Sequence, residues 1–207
     1  MISRRSVLRL GLIGTAVTAV ARQTAALADA PGATAAATIR TFYQTLIDTM
    51  KVGPRLGFAG RRDRLEPAIR QAFDMPRMTQ LAVGLRWRHL TSEQQRELIS
   101  AFTAYSAATY ANRFVKFSGE RFEVGHKITP TREGVIVDTK LFPGGGSPVA
   151  LDYLMHRTAA GWKIEDVYLS GTVSELATRR SEFSSVLARG GPEALVAILR
   201  QKASEQS

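Results

Sequence analysis

Val135 to Leu169 reads VIVDTKLFPGGGSPVALDYLMHRTAAGWKIEDVYL. Three runs in it repeat with a period of two. Val135, Val137, Thr139 and Leu141 alternate with Ile136, Asp138, Lys140 and Phe142. Val149, Leu151, Tyr153 and Met155 alternate with Ala150, Asp152, Leu154 and His156. Trp162, Ile164, Asp166 and Tyr168 alternate with Lys163, Glu165, Val167 and Leu169. Alternation at period two is the mark of strands with one buried face. Thr131 to Gly134, Pro143 to Pro148 and Ala159 to Gly161 are short and turn-rich. Phe122, Val124 and Ile128, ended by Pro130, add a strand upstream, so the stretch predicts a four-stranded antiparallel meander.

Outward from the meander the period changes to 3.6. Ile39, Phe42, Tyr43, Leu46, Ile47 and Met50 lie three and four apart, one face of a helix over 34–50. Leu65, Ile69, Ala72 and Phe73 mark a second helix, after a Gly/Pro-punctuated connection from Pro54 to Gly60. Asp74 caps a third helix with Pro76 in its first turn and Gly84 just past its end. Thr91 with Gln94 forms a capping box for a long helix carrying Leu98, Phe102, Tyr105, Thr109 and Phe114, ending near Ser118-Gly119. After the sheet, Val173, Leu176, Phe183 and Leu187 set a helix ended by Gly190-Gly191, and Pro192 starts a last one. Helices segregated from an antiparallel sheet make an α+β architecture.

The first residues carry an address. Arg4, Arg5 and Arg9 precede an apolar run from Leu10 to Ala21, and Ala26-Leu27-Ala28 is a cleavage pattern. Residues 1–28 read as a secretory signal, too short for a permanent span. The paired arginines resemble a twin-arginine export signal, with an ordinary Sec signal as the alternative. Cleavage after Ala28 leaves 29–207 as one domain in the periplasm. It removes Arg4, Arg5, Arg9 and Arg22 and no acid, lowering the formal charge from +10 to +6. The remaining excess is scattered, which argues against nucleic acid as a partner. There is no cysteine, so disulfides, thiolate metal sites and cysteine nucleophiles are excluded.

Catalytic and metal-binding patterns are sparse. His89, His126 and His156 are far apart, none with a second ligand at helical spacing, so no metal or cofactor is expected. His156 reads as a surface or edge residue. Gly144-Gly145-Gly146 lacks a following Lys-Ser/Thr and sits between strands, so it reads as a hairpin loop. By alternation Asp138 and Asp152 point away from Val137 and Leu151. Asp166 falls on the face of Trp162, Ile164 and Tyr168, where a buried carboxylate needs a partner such as Arg179 or Arg180.

Phe73-Asp74-Met75, Met78, Leu81, Gly84, Trp87, Thr91-Ser92-Glu93-Gln94 and Phe102 form one block of motifs. Trp162 to Val167, Gly171, Arg180-Ser181-Glu182-Phe183 and Gly190-Gly191 form another. Together, in this order, they resemble the periplasmic lipid-shuttle family of the Mla pathway (MlaC-like, also called toluene-tolerance auxiliary proteins). Gly171-Thr172-Val173-Ser174-Glu175-Leu176 departs from the usual form. Arg179 stands where tyrosine is usual, and one more residue separates Gly171 from Arg180. That variant is similar to the hopanoid-associated, HpnM-like subgroup.

The resemblance implies an NTF2-like cone: a curved sheet wrapped by helices around an apolar cavity. It implies a non-enzymatic, monomeric carrier of phospholipid or hopanoid, loaded and unloaded by transport complexes at the inner and outer membranes. Leu81, Leu85, Trp87, Phe102, Tyr105, Val137, Leu151, Tyr153, Tyr168, Val173 and Leu176 are then expected to line the pocket, with Arg179 and Arg180 at the head group. Two alternatives stay open. One is a small enzyme with Asp166 as base and Tyr153 or Tyr168 as hydrogen-bond donor; the other is an envelope interaction module with a solid interior. The size and polarity of the cavity separate the three.

Overall fold

A computed structural model describes residues 31–205; the expected signal segment, 1–28, lies outside them. Helix α1 (Pro31–Ala72) is followed by α2 (Met75–Val83), a 3-10 turn (Gly84–His89) and α3 (Ser92–Arg113). The strands are β1 (Arg121–Pro130), β2 (Val135–Phe142), β3 (Val149–Thr158), β4 (Gly161–Leu169) and β5 (Val173–Ser174). Helix α4 (Glu175–Glu205) ends the described chain. The strands form one antiparallel sheet in the order β1-β2-β3-β4-β5. The α+β class stands, but the meander has five strands instead of four. Val173, expected inside a helix, pairs with Leu169 in β5. A two-residue strand is too short to leave an alternating signature.

The predicted caps form as bonded pairs. Asp74 accepts from the Arg77 amide at 3.0 Å, and Thr91 and Gln94 exchange both bonds of a capping box. The long helices are each two helices joined at a break. Gly57 (φ 63°) interrupts α1, and Gly191 (φ 71°) interrupts α4 ahead of Pro192. Only glycine enters that region without a Cβ penalty. The expected connection from Pro54 to Gly60 is therefore one non-helical residue in continuing helix. Helix α3 ends at Arg113, capped at Phe114, short of the predicted stop at Ser118. Buried Arg61 holds this end together, donating to the carbonyls of Ala111 (2.9 Å) and Gly53 (3.1 Å).

Helices α1, α2 and α4 contact the sheet, and α3 packs on α1 and α4. The core joins Ile39, Phe42, Tyr43 and Leu46 of α1 to Val137, Tyr153, Met155 and Ile164 of the strands. Tyr43 spans the layers: its ring stacks on Phe122 with centroids 4.2 Å apart, and its hydroxyl lies 2.6 Å from Thr139 Oγ1. Thr139 donates its own proton to the Leu151 carbonyl, so Tyr43 donates to Thr139 and the chain of donors ends on the backbone.

One register shift reassigns β4. Met155 pairs with Ile164 but Leu154 pairs with Asp166, so Glu165 is an extra residue, a β-bulge. Trp162 and Ile164 stay on the helix-facing side, joined there by Val167 opposite Tyr153. Asp166 and Tyr168 turn to the other side. The expected face shared by Trp162, Ile164, Asp166 and Tyr168 is thus broken at Glu165, which alternation alone does not reveal.

The two displaced carboxylates do structural work. Asp166, 4% exposed, accepts from its neighbour Val167 N (2.7 Å), from Ser174 Oγ (2.5 Å) and from Leu176 N (3.0 Å). It ties β4 to β5 and to the first turn of α4, the role expected of Arg179 or Arg180 being filled by neutral donors. Glu165 accepts from Arg77 Nε at 2.5 Å. His156, expected at a surface or edge, is enclosed. Its Nε2 meets Asp74 Oδ2 at 3.0 Å, and its Nδ1 lies 3.0 Å from Glu165 Oε2 without hydrogen-bond alignment.

Asp166→Ala leaves those donors unmatched in a buried place and is expected to lower stability by about 2–3 kcal/mol in urea unfolding at pH 7. The tyrosine link is tested by alkali. Burial first, offset in part by its hydrogen bonds, pushes Tyr43 up to about 12 from 10.0. Its folded form therefore keeps a proton that the unfolded chain loses. That contribution is present below about pH 10 and vanishes as pH rises toward 12. Stability should fall across this window, and Tyr43→Phe should make the fall shallower while costing about 1 kcal/mol at pH 7.

Candidate functional site

A cavity of about 200 Å³ lies between the helix-facing side of the sheet and helices α1 to α4. It exceeds the roughly 150 Å³ apolar cavities that admit benzene and falls below the ~300–1,000 Å³ of most ligand sites. Helix α3 supplies a wall because Phe102, Tyr105, Ser106, Thr109, Tyr110 and Arg113 recur every three or four residues, one stripe of the helix. Opposite stand Leu151 and Tyr153 of β3 and Val167 and Leu169 of β4. Tyr43, Leu46 and Ile69 of α1, Phe73, and Met75 and Met78 of α2 close it, with Phe114 and Phe122 beside them.

The lining grades from apolar to charged. Tyr43, Leu46, Ile69, Phe73 and Tyr153 are each at most 5% exposed. Their rings interlock edge to face: Phe73 sits 6.0 Å from Tyr110, and Tyr43 sits 5.8 Å from Tyr153. Ser106, Thr109, Arg113, Glu175 and Arg179 form the partly exposed end. Burial raises Tyr110 well above the ordinary tyrosine range, so its hydroxyl stays protonated. That hydroxyl has no hydrogen-bond partner among the described residues, which leaves a donor in an otherwise greasy wall.

The arginines differ in their engagement. Arg179 is held by Glu182 (2.8 Å) and Glu175 (3.5 Å) and lies 5.3 Å over the Tyr105 ring. Arg113 also lines the cavity but makes no ion pair among the described residues. Arg180, expected near a head group, turns to Gly84, where a Cβ would stand 3.6 Å from its Nε.

Of the expected lining residues, the structure brings together Phe102, Tyr105, Leu151, Tyr153 and Leu176, with Arg179 at the edge. The others lie elsewhere. Val137 is in the solid core, with no exposed surface. Tyr168 is on the far face because of the bulge. Trp87 packs against the rim of the core, Leu81 is half-buried outside the cavity, and Leu85 and Val173 are exposed. Sequence reasoning missed Tyr43, Phe73, Met78, Tyr110, Arg113 and Val167. The spacing of Phe102, Tyr105 and Thr109 already pointed to Tyr110 and Arg113 one turn on; nothing comparable pointed to Val167, which owes its place to the bulge.

The acid–base pairing of Asp166 with a tyrosine does not form in the cavity. Asp166 and Tyr153 occupy opposite faces of the sheet, and neither Asp166 nor Tyr168 lines the cavity. Among the described residues Glu175 is the one carboxylate on its wall, and Arg179 engages it.

No curated protein matches this chain. Among solved structures, a phospholipid-binding protein from Ralstonia solanacearum, determined in complex with a phospholipid, superposes with a TM-score of 0.71 at 27% identity. The match covers 83% of this chain and 98% of that one. The family model described as MlaC protein matches residues 40–201. Those residues include every residue that lines the cavity, and the chain belongs to the MlaC protein family.

Proposed function

We propose that this protein is a lipid carrier of the periplasm that holds acyl chains in the cavity between sheet and helices and passes them between membrane-bound transport complexes. The observation that carries the reading is the cavity's gradient, from interlocked aromatic rings to a mouth bearing Arg113. The phospholipid held by the Ralstonia relative supports phospholipid as cargo. Export rests on the signal-like residues 1–28, and among the described residues no helix is long and apolar enough to cross a membrane. An apolar chain entering from water gains about 0.8 kcal/mol per methylene, but one leaving a bilayer gains almost nothing. The carrier therefore needs partners at each membrane to load and empty it, and chemistry plays no part.

A cavity this small takes a whole lipid only with its walls parted. Gly57 and Gly191 break the two longest helices and leave their halves able to re-angle. A hopanoid is the second cargo reading. It is favoured by the form of Gly171 to Leu176 and by Arg179 where the family usually has tyrosine.

Mass spectrometry of organic extracts from protein purified without detergent decides between them. A stoichiometric phospholipid or hopanoid is expected. Protein that comes empty from cells holding the transport complexes, and stays empty after incubation with vesicles, refutes the carrier. Leu176→Trp should lower the loaded fraction about tenfold by filling the cavity, with the melting temperature unchanged. Arg113→Gln should weaken retention of phosphatidylglycerol about fivefold relative to wild type and leave retention of uncharged diacylglycerol unchanged.

A further inference from the structure

The residues expected inside the cavity but found outside it are themselves informative. Leu85 is 75% exposed and Val173 53%, the two most exposed large apolar side chains among the described residues. Val173 adjoins the mouth directly, and Leu85 is linked to it through Arg180. Val173 pairs with Leu169, a lining residue. Leu85 follows Gly84, on which Arg180 rests, and Arg180 follows Arg179, which lines the mouth. The 3-10 turn Gly84–His89 offers Arg86, Arg88 and His89 and no acid. Arg86 reaches the Leu187 carbonyl (3.4 Å), which fixes the turn against α4. Arg88 and Arg180 have no ion pair among the described residues. The acids nearest in sequence on α4, Glu175 and Glu182, are taken by Arg179.

Exposed leucine and valine among free arginines suit neither plain solvent nor an acid-rich partner groove as well as they suit a lipid head-group layer. Apolar side chains enter its acyl boundary while arginines meet phosphates. We propose that Leu85, Arg86, Arg88, Arg180 and Val173 form a contact surface for an anionic bilayer that sets the cavity mouth against the membrane. The purpose given to the contact rests on the carrier reading; the contact itself does not. Contact of this size is weak and reversible, as befits a protein that must leave.

The test is flotation of the purified protein with vesicles of phosphatidylglycerol or of phosphatidylcholine, with bound lipid measured in the same samples. Binding to phosphatidylglycerol alone is expected, lost at about 0.5 M salt. Arg88→Gln and Arg180→Gln should each weaken it about fivefold, and Leu85→Ser by a similar factor. Lys127→Gln, on edge strand β1, should leave it unchanged. Equal binding to both vesicles, no binding to either, or rim variants that bind like the wild type would overturn the surface. Empty protein that still floats with phosphatidylglycerol upholds the surface while sinking the carrier. Loaded protein that ignores vesicles does the reverse.

Discussion

One extra residue in β4 governs which way the neighbouring side chains point. With Glu165 inserted opposite a regular β3, Ile164 and Val167 both face the helices, and the carboxylates between them are turned out of the apolar layer. Had β4 run without the bulge, Asp166 would share the face of Ile164, against Met155 and Tyr153. A charge there without donors costs several kcal/mol. The bulge turns that liability into two anchors. Asp166 collects the Ser174 hydroxyl and the Leu176 amide at the start of α4, and Glu165 collects Arg77 from α2. The helices that roof the cavity are thus hung from the strand that floors it.

The site follows from this arrangement and from α3. A helix presenting Phe102, Tyr105, Ser106, Thr109, Tyr110 and Arg113 along one stripe is apolar toward one end and polar toward the other. Set against a sheet face of Leu151, Tyr153 and Val167, it encloses a space greasy at depth and polar at its lip. Such a gradient matches a molecule with tails and a head. Tyr43 places a hydroxyl inside without wetting the cavity, because it donates to Thr139, which donates to the backbone.

Most of the architecture was legible because period and punctuation agreed. The caps at Asp74 and Thr91, the hairpin turns and the breaks near Gly191 are local rules, and each formed as the sequence implied. What stayed hidden was non-local. The bulge at Glu165 depends on pairing with β3, so Tyr168 and Asp166 were assigned to the wrong face. Strand β5 exists because Asp166 holds Ser174, not because its two residues favour strand. Hydrophobicity alone could not separate the cavity wall from solid core, where Val137 went, or from the surface, where Leu85 and Val173 went. Charge could not reveal that Arg179 is engaged while Arg113 has no ion pair among the described residues; only the acids folded beside them decide that.

The aromatic residues are divided in a way that bears on how the molecule is watched. The chain has two tryptophans and five tyrosines. Trp87 and Trp162 both stand outside the cavity, whereas Tyr43, Tyr105, Tyr110 and Tyr153 line it. The indole emission that experimenters habitually follow is therefore nearly blind to occupancy. Occupancy is written instead in the near-ultraviolet optical activity of the phenols, whose rings touch whatever fills the space.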